Sequence, residues 1–172
     1  MRQIRYVVTA SLDGFIAGPN GEVDWIVPDP DRDFRALLDQ FDTALLGRRS
    51  YELTQRPGAP PWPPGMSVYV FSRTLRRRDH PEVTIVADKL EETLAALRVK
   101  SGKDIWLFGG GLLFRSLLDA GLVDTLEVAV IPVLLGGGIP LFPPPAKTAK
   151  LNLTGHKVYP KTGIVLLEYA VK

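Results

Sequence analysis

The chain has 172 residues, of which 45% are hydrophobic and 23% charged, and its formal net charge is +2. This composition predicts a single globular domain over residues 1–172 and lacks the charge excess typical of nucleic-acid-binding proteins. Because there is no cysteine, disulfides, thiol catalysis and thiolate metal sites are excluded, and the two isolated histidines do not make a zinc site. No apolar run reaches the roughly 18 residues of a membrane helix. We therefore expect a cytoplasmic protein with no metal, membrane or nucleic-acid partner.

Short apolar runs alternate with helical patterns through the first two thirds of the chain. Runs bounded by Asp and Gly predict strands at residues 5–10, 43–46, 68–71, 83–86 and 105–108. An i, i+3, i+4, i+7 spacing predicts a helix between the first two strands, at Phe34, Leu37, Leu38 and Phe41. A second apolar stripe predicts a helix after the fourth strand, beginning with a capping box between Asp88 and Glu91.

The most informative segment follows the fifth strand, where Gly109, Gly110 and Gly111 precede a second apolar run. That run predicts a helix over residues 111–119, with Gly121 as the residue that ends it. Glycines at a strand-to-helix junction let a ligand approach the backbone, and the free N–H groups of the helix N-terminus favour a phosphate. The segment is neither a Rossmann fingerprint nor a P-loop, so an ordinary strand-to-helix turn stays open as an alternative.

The carboxyl-terminal third of the chain contains only strand patterns. Residues 125–133 predict one strand, and residues 151–159 and 164–171 predict a hairpin around the turn at residues 160–163. Together the elements predict an α/β fold, a three-layer α/β/α domain whose mixed, mostly parallel sheet has an antiparallel C-terminal hairpin. In such a sheet the loops that follow parallel strands gather at the carboxyl edge, where ligands bind.

Four further segments are expected near the glycine turn. They are the polar loop at residues 11–17, the turn at residues 47–50, the pair Ser72 and Arg73, and a second glycine trio within residues 130–142. Amides, a hydroxyl and guanidinium groups at a helix start suit phosphate oxygens. Taken in order, the five motifs resemble the dihydrofolate-reductase-like superfamily over the whole chain. They are most similar to the RibD C-terminal reductase domain of the riboflavin-biosynthesis deaminase-reductases.

The resemblance implies NADPH as the cofactor and assigns it a site. The pyrophosphate is expected at two helix N-termini, the 2′-phosphate at the pair Ser72 and Arg73, and the nicotinamide at the polar loop. The residues so assigned are Gly47, Arg48, Arg49 and Ser50; Gly109, Gly110, Gly111 and Leu112; Ser72 and Arg73; and Ala10, Ile16 and Ala17. From the residues alone, a plain tight turn at the polar loop and a solvated basic turn after the third strand stay open.

The resemblance also implies a substrate side of the site. It assigns aromatic contacts with the substrate to Trp25, Phe34 and Phe108. Asp31 and Asp33 are the candidate catalytic carboxylates, which bind the substrate heterocycle or help to protonate it. Because acidic residues are also favourable at a helix start, a purely structural role stays open for both.

The function implied by the resemblance is reduction of a small nitrogen heterocycle or its ribosyl derivative by NADPH. The nominal substrate is 5-amino-6-(5-phosphoribosylamino)uracil of riboflavin biosynthesis. Phe108 weakens that assignment, because riboflavin reductases carry an acidic residue at this position. A dihydrofolate- or pteridine-type reductase and a non-catalytic NADPH-binding module stay open as alternatives. A homodimer is also expected.

Overall fold

The computed structural model describes residues 1–145 and 147–172, and within them the chain forms ten strands and four α-helices. The strands are β1 (Ile4–Ser11), β2 (Phe15–Ala17), β3 (Phe41–Gly47), β4 (Ser67–Phe71), β5 (Thr84–Val86), β6 (Asp104–Gly109), β7 (Thr125–Ile131), β8 (Ile139–Pro140), β9 (Leu151–Tyr159) and β10 (Ile164–Val171). The helices are α1 (Phe34–Leu38), α2 (Arg48–Thr54), α3 (Leu90–Val99) and α4 (Gly111–Asp119).

Eight of the strands form one sheet in the order β5-β4-β3-β6-β1-β7-β10-β9. Neighbouring strands from β5 to β7 are parallel, whereas β10 is antiparallel to both β7 and β9. The predicted mixed, mostly parallel sheet with its antiparallel C-terminal hairpin is therefore confirmed. The antiparallel strand itself lies inside the sheet, and β9 forms the edge.

Alternating side chains of the sheet pack against helices on opposite faces. Tyr6 lies in the main core with the apolar sides of α3 and α4, on what we call the first face. Val7 lies with Leu37 and Leu38 of α1 on the second face, where Tyr51 of α2 also packs against the sheet. Because helices cover both faces, the three-layer α/β/α architecture is confirmed.

The first helix is shorter than its apolar spacing predicts. α1 ends at Leu38, and Phe41 is the first residue of β3 rather than the last apolar position of the helix. Phe41 is 4% exposed and stacks on Trp106 with 5.9 Å between ring centroids. Burial between strands therefore outweighs the helical spacing, because an aromatic ring gains more from a packed sheet than from one further helical turn.

The predicted capping box at the start of α3 is wrong. The N-cap residue is Lys89, in a left-handed conformation with φ 58° and ψ 41°, and no side chain caps the helix. A residue other than glycine in this region is uncommon and is held there by its surroundings. The local turn between β5 and α3 thus follows a tertiary constraint rather than the capping preference of Asp88.

Tyr6 carries a buried hydroxyl that makes no hydrogen bond within the described residues. The residue is fully buried, its ring stacks on Phe114 at 4.0 Å, and burial raises the pKa of its phenol well above the usual range. Because an unpaired buried donor costs about 1–3 kcal/mol, we expect Tyr6→Phe to raise the free energy of unfolding by about 1 kcal/mol. Urea denaturation of both proteins measures this, and a loss of stability would contradict it.

Candidate functional site

Two glycine turns lie side by side at the carboxyl edge of the sheet. β3 and β6 are neighbours, and Leu46 is in register with Gly109, so α2 and α4 begin next to each other. A Cβ atom added to Gly110 would stand 3.1 Å from the Ser50 hydroxyl oxygen, and one added to Gly47 would stand 3.9 Å from Leu113 Cβ. The sheet therefore brings together the two segments that the sequence assigns to the pyrophosphate.

Both helices present uncapped N-termini at this point. The N-cap residues are Gly47 for α2 and Gly110 for α4, and neither supplies a side-chain acceptor. The first-turn N–H groups of both helices and the positive ends of their dipoles are thus available to an external anion. Arg48 and Arg49 are exposed beside them, and Arg48 lies 3.7 Å from Glu52 in an ion pair along α2.

The three glycines of the turn have different roles. Gly109 has a φ of 136°, a conformation that side chains rarely adopt. A Cβ atom on Gly111 would stand 2.7 Å from the Pro140 carbonyl oxygen and 2.9 Å from Pro143 Cδ. Gly111 is therefore required by packing against the end of β8 and the segment after it, whereas Gly110 faces Ser50. Leu112, the second residue of α4, is 57% exposed at the same edge.

The sheet opens between β1 and β6 as the strands approach this edge. Among the described residues, the ladder between β1 and β6 pairs Ile4 to Tyr6, whereas the ladder between β1 and β7 continues to Ser11. The indole N–H of Trp106 donates to the Val7 carbonyl at 3.2 Å. Within residues 1–145 and 147–172, the later part of β1, which contains Ala10, therefore has a backbone edge on its β6 side that pairs with no strand.

The polar loop after β1 is fixed by the chain that follows β7. The amide of Leu12 donates to the Val133 carbonyl, and the amide of Leu141 donates to the Gly14 carbonyl, both at 2.9 Å. Ile16 and Ala17 lie in β2, which pairs with β8. The second glycine trio, at residues 136–138, lies within this anchoring segment, between Val133 and Leu141. The loop assigned to the nicotinamide is thus held in place by hydrogen bonds and strand pairing with the chain that follows β7.

Asp13 makes the central contacts of this anchoring. Its carboxylate accepts from the Ser11 hydroxyl at 2.6 Å and from the amides of Leu135 at 3.1 Å and Gly136 at 2.7 Å. The Ser11 hydroxyl, supported by these amides, lowers the pKa of Asp13 below its usual range. The Ser11 hydroxyl oxygen in turn accepts from the amide of Phe15 at 2.9 Å. Asp13 and Ser11 therefore connect the loop after β1 to the segment after β7.

We expect this network to make folding stability depend on pH. Because the pKa of Asp13 is lower when folded than when unfolded, its stabilisation is present above the ordinary aspartate pKa and decreases as the pH falls through the folded pKa. Asp13→Asn should therefore destabilise the protein at pH 7 and lose that difference at low pH. Urea denaturation of both proteins at pH 7 and below pH 4 measures it; a difference independent of pH would contradict the assignment.

A small cleft of about 240 Å³ lies where β4 and β5 end, and we call it the basic cleft because its lining holds Arg73 and Lys89 against one carboxylate, that of Asp88. Ser72, 8% exposed, forms its turn by accepting from the amides of Thr74 at 3.2 Å and Leu75 at 3.1 Å. Arg73 is exposed, and Lys89 lines the opposite side. The structure thus adds Lys89 to Ser72 and Arg73, the two residues predicted for the 2′-phosphate. Its unusual conformation was not visible in the sequence, where it follows an apparent helix cap.

Five aromatic side chains pack together on the second face of the sheet, and we call them the aromatic cluster. Trp106 is its centre, with ring centroids at distances of 5.0 to 6.4 Å from those of the other four. The remaining members are Phe34, Phe41, Trp62 and Phe108. Two predicted substrate residues, Phe34 and Phe108, therefore belong to one cluster. Phe108 directly precedes the glycine turn, and Phe34 is 49% exposed at the start of α1.

The other residues predicted for the substrate side, Trp25, Asp31 and Asp33, are not members of this cluster. Trp25 packs with the buried ends of β7 and β9, and its indole N–H donates to the Glu22 carbonyl at 3.1 Å. Asp31 is exposed and pairs with Lys161 Nζ at 2.9 Å. Asp33 caps α1 through one carboxylate oxygen, 2.9 Å from the Ala36 amide, and lines a cleft beneath that helix.

Comparison with known proteins gives the same class of fold and identifies the family. The RibD C-terminal domain family matches residues 2–165, and the chain belongs to that family. The uncharacterized protein YyaP of Bacillus subtilis strain 168 is 36% identical over 98% of this chain and 94% of its own length.

Two solved structures show how the fold is shared. A Shewanella sp. PV-4 protein, assigned provisionally to riboflavin biosynthesis, is 28% identical with a TM-score of 0.84, over 100% of this chain and 99% of that one. Dihydrofolate reductase from Enterococcus faecalis, solved in complex with NADP(H), has a TM-score of 0.69 at 19% identity, over 99% of this chain and 96% of that one. The fold is thus that of dihydrofolate reductases.

Two further properties of the described residues bear on partners. No α-helix within residues 1–145 and 147–172 combines the length and apolar composition needed to cross a bilayer. The same part of the chain holds no group of three or more His, Asp or Glu side chains arranged to bind a metal ion.

Proposed function

We propose that this protein is an NADPH-dependent oxidoreductase that reduces a small nitrogen heterocycle or its ribosyl derivative. The observation that carries the proposal is the pair of uncapped helix N-termini, those of α2 and α4, beside a basic cleft at one sheet edge. If the glycine turn before α4 were only a connection between a strand and a helix, it would not need a second uncapped helix N-terminus beside it. A dinucleotide phosphate offers anions for both features, with a pyrophosphate at the helices and a 2′-phosphate at the cleft.

The residues present fit NADPH. Gly110 has no side chain, so the space next to the Ser50 hydroxyl, where a Cβ would stand at 3.1 Å, is free. The hydrogen-bond donors around this space are amides, one hydroxyl and guanidinium groups. In this proposal Gly47 to Ser50 and Gly109 to Leu112 hold the pyrophosphate, while Ser72, Arg73 and Lys89 hold the 2′-phosphate. The backbone edge near Ala10, which β6 does not pair within the described residues, holds the carboxamide together with Ile16 and Ala17. When bound, the cofactor supplies a hydride.

The protein side chains then orient the substrate and exclude water. The aromatic cluster presents Phe108 directly before the glycine turn, and Phe34 extends from it into solvent at the start of α1. Asp33 is the better placed of the two candidate carboxylates, because it lines the cleft beside the cluster while Asp31 is engaged by Lys161. One Asp33 oxygen caps α1, which leaves the other to hold a proton or accept from the heterocycle.

The substrate is nominally 5-amino-6-(5-phosphoribosylamino)uracil, in keeping with the family. Phe108 favours a different member of the same chemical class, because it offers a ring face where an acidic side chain would contact ribose. We also propose that the protein is a homodimer that acts in the cytoplasm. These proposals rest on the family resemblance.

The proposed function is tested by following NADPH oxidation with the purified protein. The substrates are 5-amino-6-(5-phosphoribosylamino)uracil, its dephosphorylated form and dihydrofolate. We expect oxidation of NADPH with at least one of the uracil derivatives and a far lower rate with NADH. NADPH binding without oxidation in the presence of any of the three would instead support a non-catalytic NADPH-binding module.

A further inference from the structure

A cleft of about 390 Å³ lies beneath α1 on the second face of the sheet. Asp33, Ala36 and Leu37 line it from the helix side, while strands β1, β7 and β10 contribute the opposite wall. Tyr159, the last residue of β9, lines it as well. The volume lies within the range of pockets that hold small molecules.

One charged pair in the cleft is already satisfied by the protein. Glu127 is 8% exposed, and its Oε1 accepts from Arg5 Nε at 2.8 Å and from Arg5 Nη2 at 2.6 Å. The remaining terminal nitrogen, Arg5 Nη1, donates to Gln40 Oε1 at 2.7 Å and lies 3.4 Å from Asp104 Oδ2. The Arg5 guanidinium is therefore committed on every nitrogen and offers little to a ligand.

Other polar groups in the cleft have no partner within the described part of the chain. Tyr159 is 5% exposed, and its hydroxyl makes no hydrogen bond within the described residues but is not sealed from solvent, so a ligand in the cleft can reach it. Glu168 stands directly opposite Glu127 in the register of β10 and β7, and its carboxylate also lacks a hydrogen bond. Because Arg5 already pairs with Glu127, Glu168 is the carboxylate of the two that can accept from a hydrogen-bond donor of a ligand.

The charge of the cleft selects against a phosphate. Its lining contains three carboxylates, on Asp33, Glu127 and Glu168, against two guanidinium groups, on Arg5 and Arg32. Arg5 is committed to Glu127, which leaves only Arg32 to balance an added anion. Lys157 stands nearby with its Nζ 4.6 Å from the centroid of the Tyr159 ring, but it is exposed and outside the lining. Hydroxyl or amino groups suit this lining better than a phosphate of charge about −1.5 to −2.

The cleft is within reach of the proposed reaction site. Asp33 lines the cleft, and the next residue is Phe34, whose ring centroid lies 6.4 Å from that of Trp106 in the aromatic cluster. Val7 lines the cleft and stands four residues before Ser11, a span of about 13 Å along the strand at 3.3 Å per residue. A ribosyl heterocycle has the length to bridge most of this distance.

On the basis of the proposed function, we propose that the cleft beneath α1 holds an unphosphorylated arm of the substrate, rich in hydroxyl or amino groups. Glu168 accepts from this arm, and the Tyr159 hydroxyl forms a second hydrogen bond to it. The substrate class is then a nucleoside-like heterocycle rather than a nucleotide. Glu168 and Tyr159 are the residues that determine this specificity.

The test compares two probes on the NADPH-saturated protein, namely 5-amino-6-(5-phosphoribosylamino)uracil and the same compound without its phosphate. We expect kcat/KM to be at least about tenfold higher for the dephosphorylated probe. Glu168→Gln and Tyr159→Phe should each raise the KM of that probe about tenfold, with kcat nearly unchanged, because the first removes the charge of an acceptor and the second removes one hydrogen bond to the arm. Glu91→Gln, an exposed glutamate on α3, is the matched control and should change neither constant.

Equal use of the two probes, a preference for the phosphorylated one, or an unchanged KM in both variants would overturn this assignment. Thermal melting of each variant in the presence of NADPH confirms that the compared proteins are folded. A separate fluorescence titration with NADPH distinguishes the two levels of failure. Absence of NADPH binding, or NADPH binding without oxidation with either probe, defeats the proposed function itself, whereas NADPH oxidation without a preference for the dephosphorylated probe defeats only the cleft assignment.

Discussion

Gly111→Ala is expected to destabilise the protein strongly and to abolish detectable cofactor binding. The added Cβ would stand 2.7 Å from a backbone oxygen of Pro140 and 2.9 Å from Pro143 Cδ, and neither atom belongs to a flexible side chain. Overpacking of this kind costs on the order of 3 kcal/mol. For a protein of this size the melting temperature should then fall by roughly 6–12 °C.

A second glycine provides the matched control. In the described part of the chain no atom stands within 4 Å of a Cβ added to Gly137, whose φ is not positive, so Gly137→Ala should leave the melting temperature nearly unchanged. Differential scanning calorimetry compares the two variants, and fluorescence titration measures NADPH binding. If Gly111→Ala melts like Gly137→Ala, the close packing of α4 against the segment after β8 is not what positions the glycine turn.

Arg73→Ala is expected to weaken NADPH binding by about 10- to 100-fold while leaving NADH binding within about twofold. The loss corresponds to a charge-assisted hydrogen bond of about 1.5–3 kcal/mol, which only the cofactor with a 2′-phosphate can form. Arg73 lines the basic cleft and is exposed. Isothermal titration calorimetry with both cofactors measures the two affinities.

The control for this variant lies five residues away. Arg78 is also exposed, pairs with Asp79 at 3.5 Å and is not part of the cleft lining, so Arg78→Ala removes the same charge from the same surface. Its effect on NADPH should be small and decrease with salt. Equal losses of NADPH and NADH affinity in Arg73→Ala would refute the 2′-phosphate role.

The layers of the fold were predictable because the local pattern and the tertiary structure agree. The helix after the glycine turn is found at Gly111–Asp119, and the two hairpin strands are found at Leu151–Tyr159 and Ile164–Val171, as the apolar runs and turn residues indicate. α1 was predicted too long because Phe41 satisfies a helical spacing and a strand position equally well. Only its packing on Trp106 decides between them.

The arrangement of the site depended on contacts that no local pattern contains. The assignment of Gly111 to a phosphate stays a prediction, and the structure adds a packing requirement that the sequence does not contain: the Pro140 carbonyl, about 30 residues further along the chain, leaves no room for a side chain. Lys89 looked like part of a helix cap, and its left-handed backbone brings it to the cleft of Arg73. The cleft beneath α1 requires three strands in register and therefore has no signature in the sequence.

The central claim is most directly tested by a crystal structure of the protein with bound NADPH. We predict that the pyrophosphate lies against the first-turn amides of α2 and α4, and that the 2′-phosphate lies within hydrogen-bonding distance of Ser72, Arg73 or Lys89. The nicotinamide should contact the backbone edge at Ala10. A cofactor bound away from the two glycine turns, or no cofactor density at millimolar NADPH, would contradict the account.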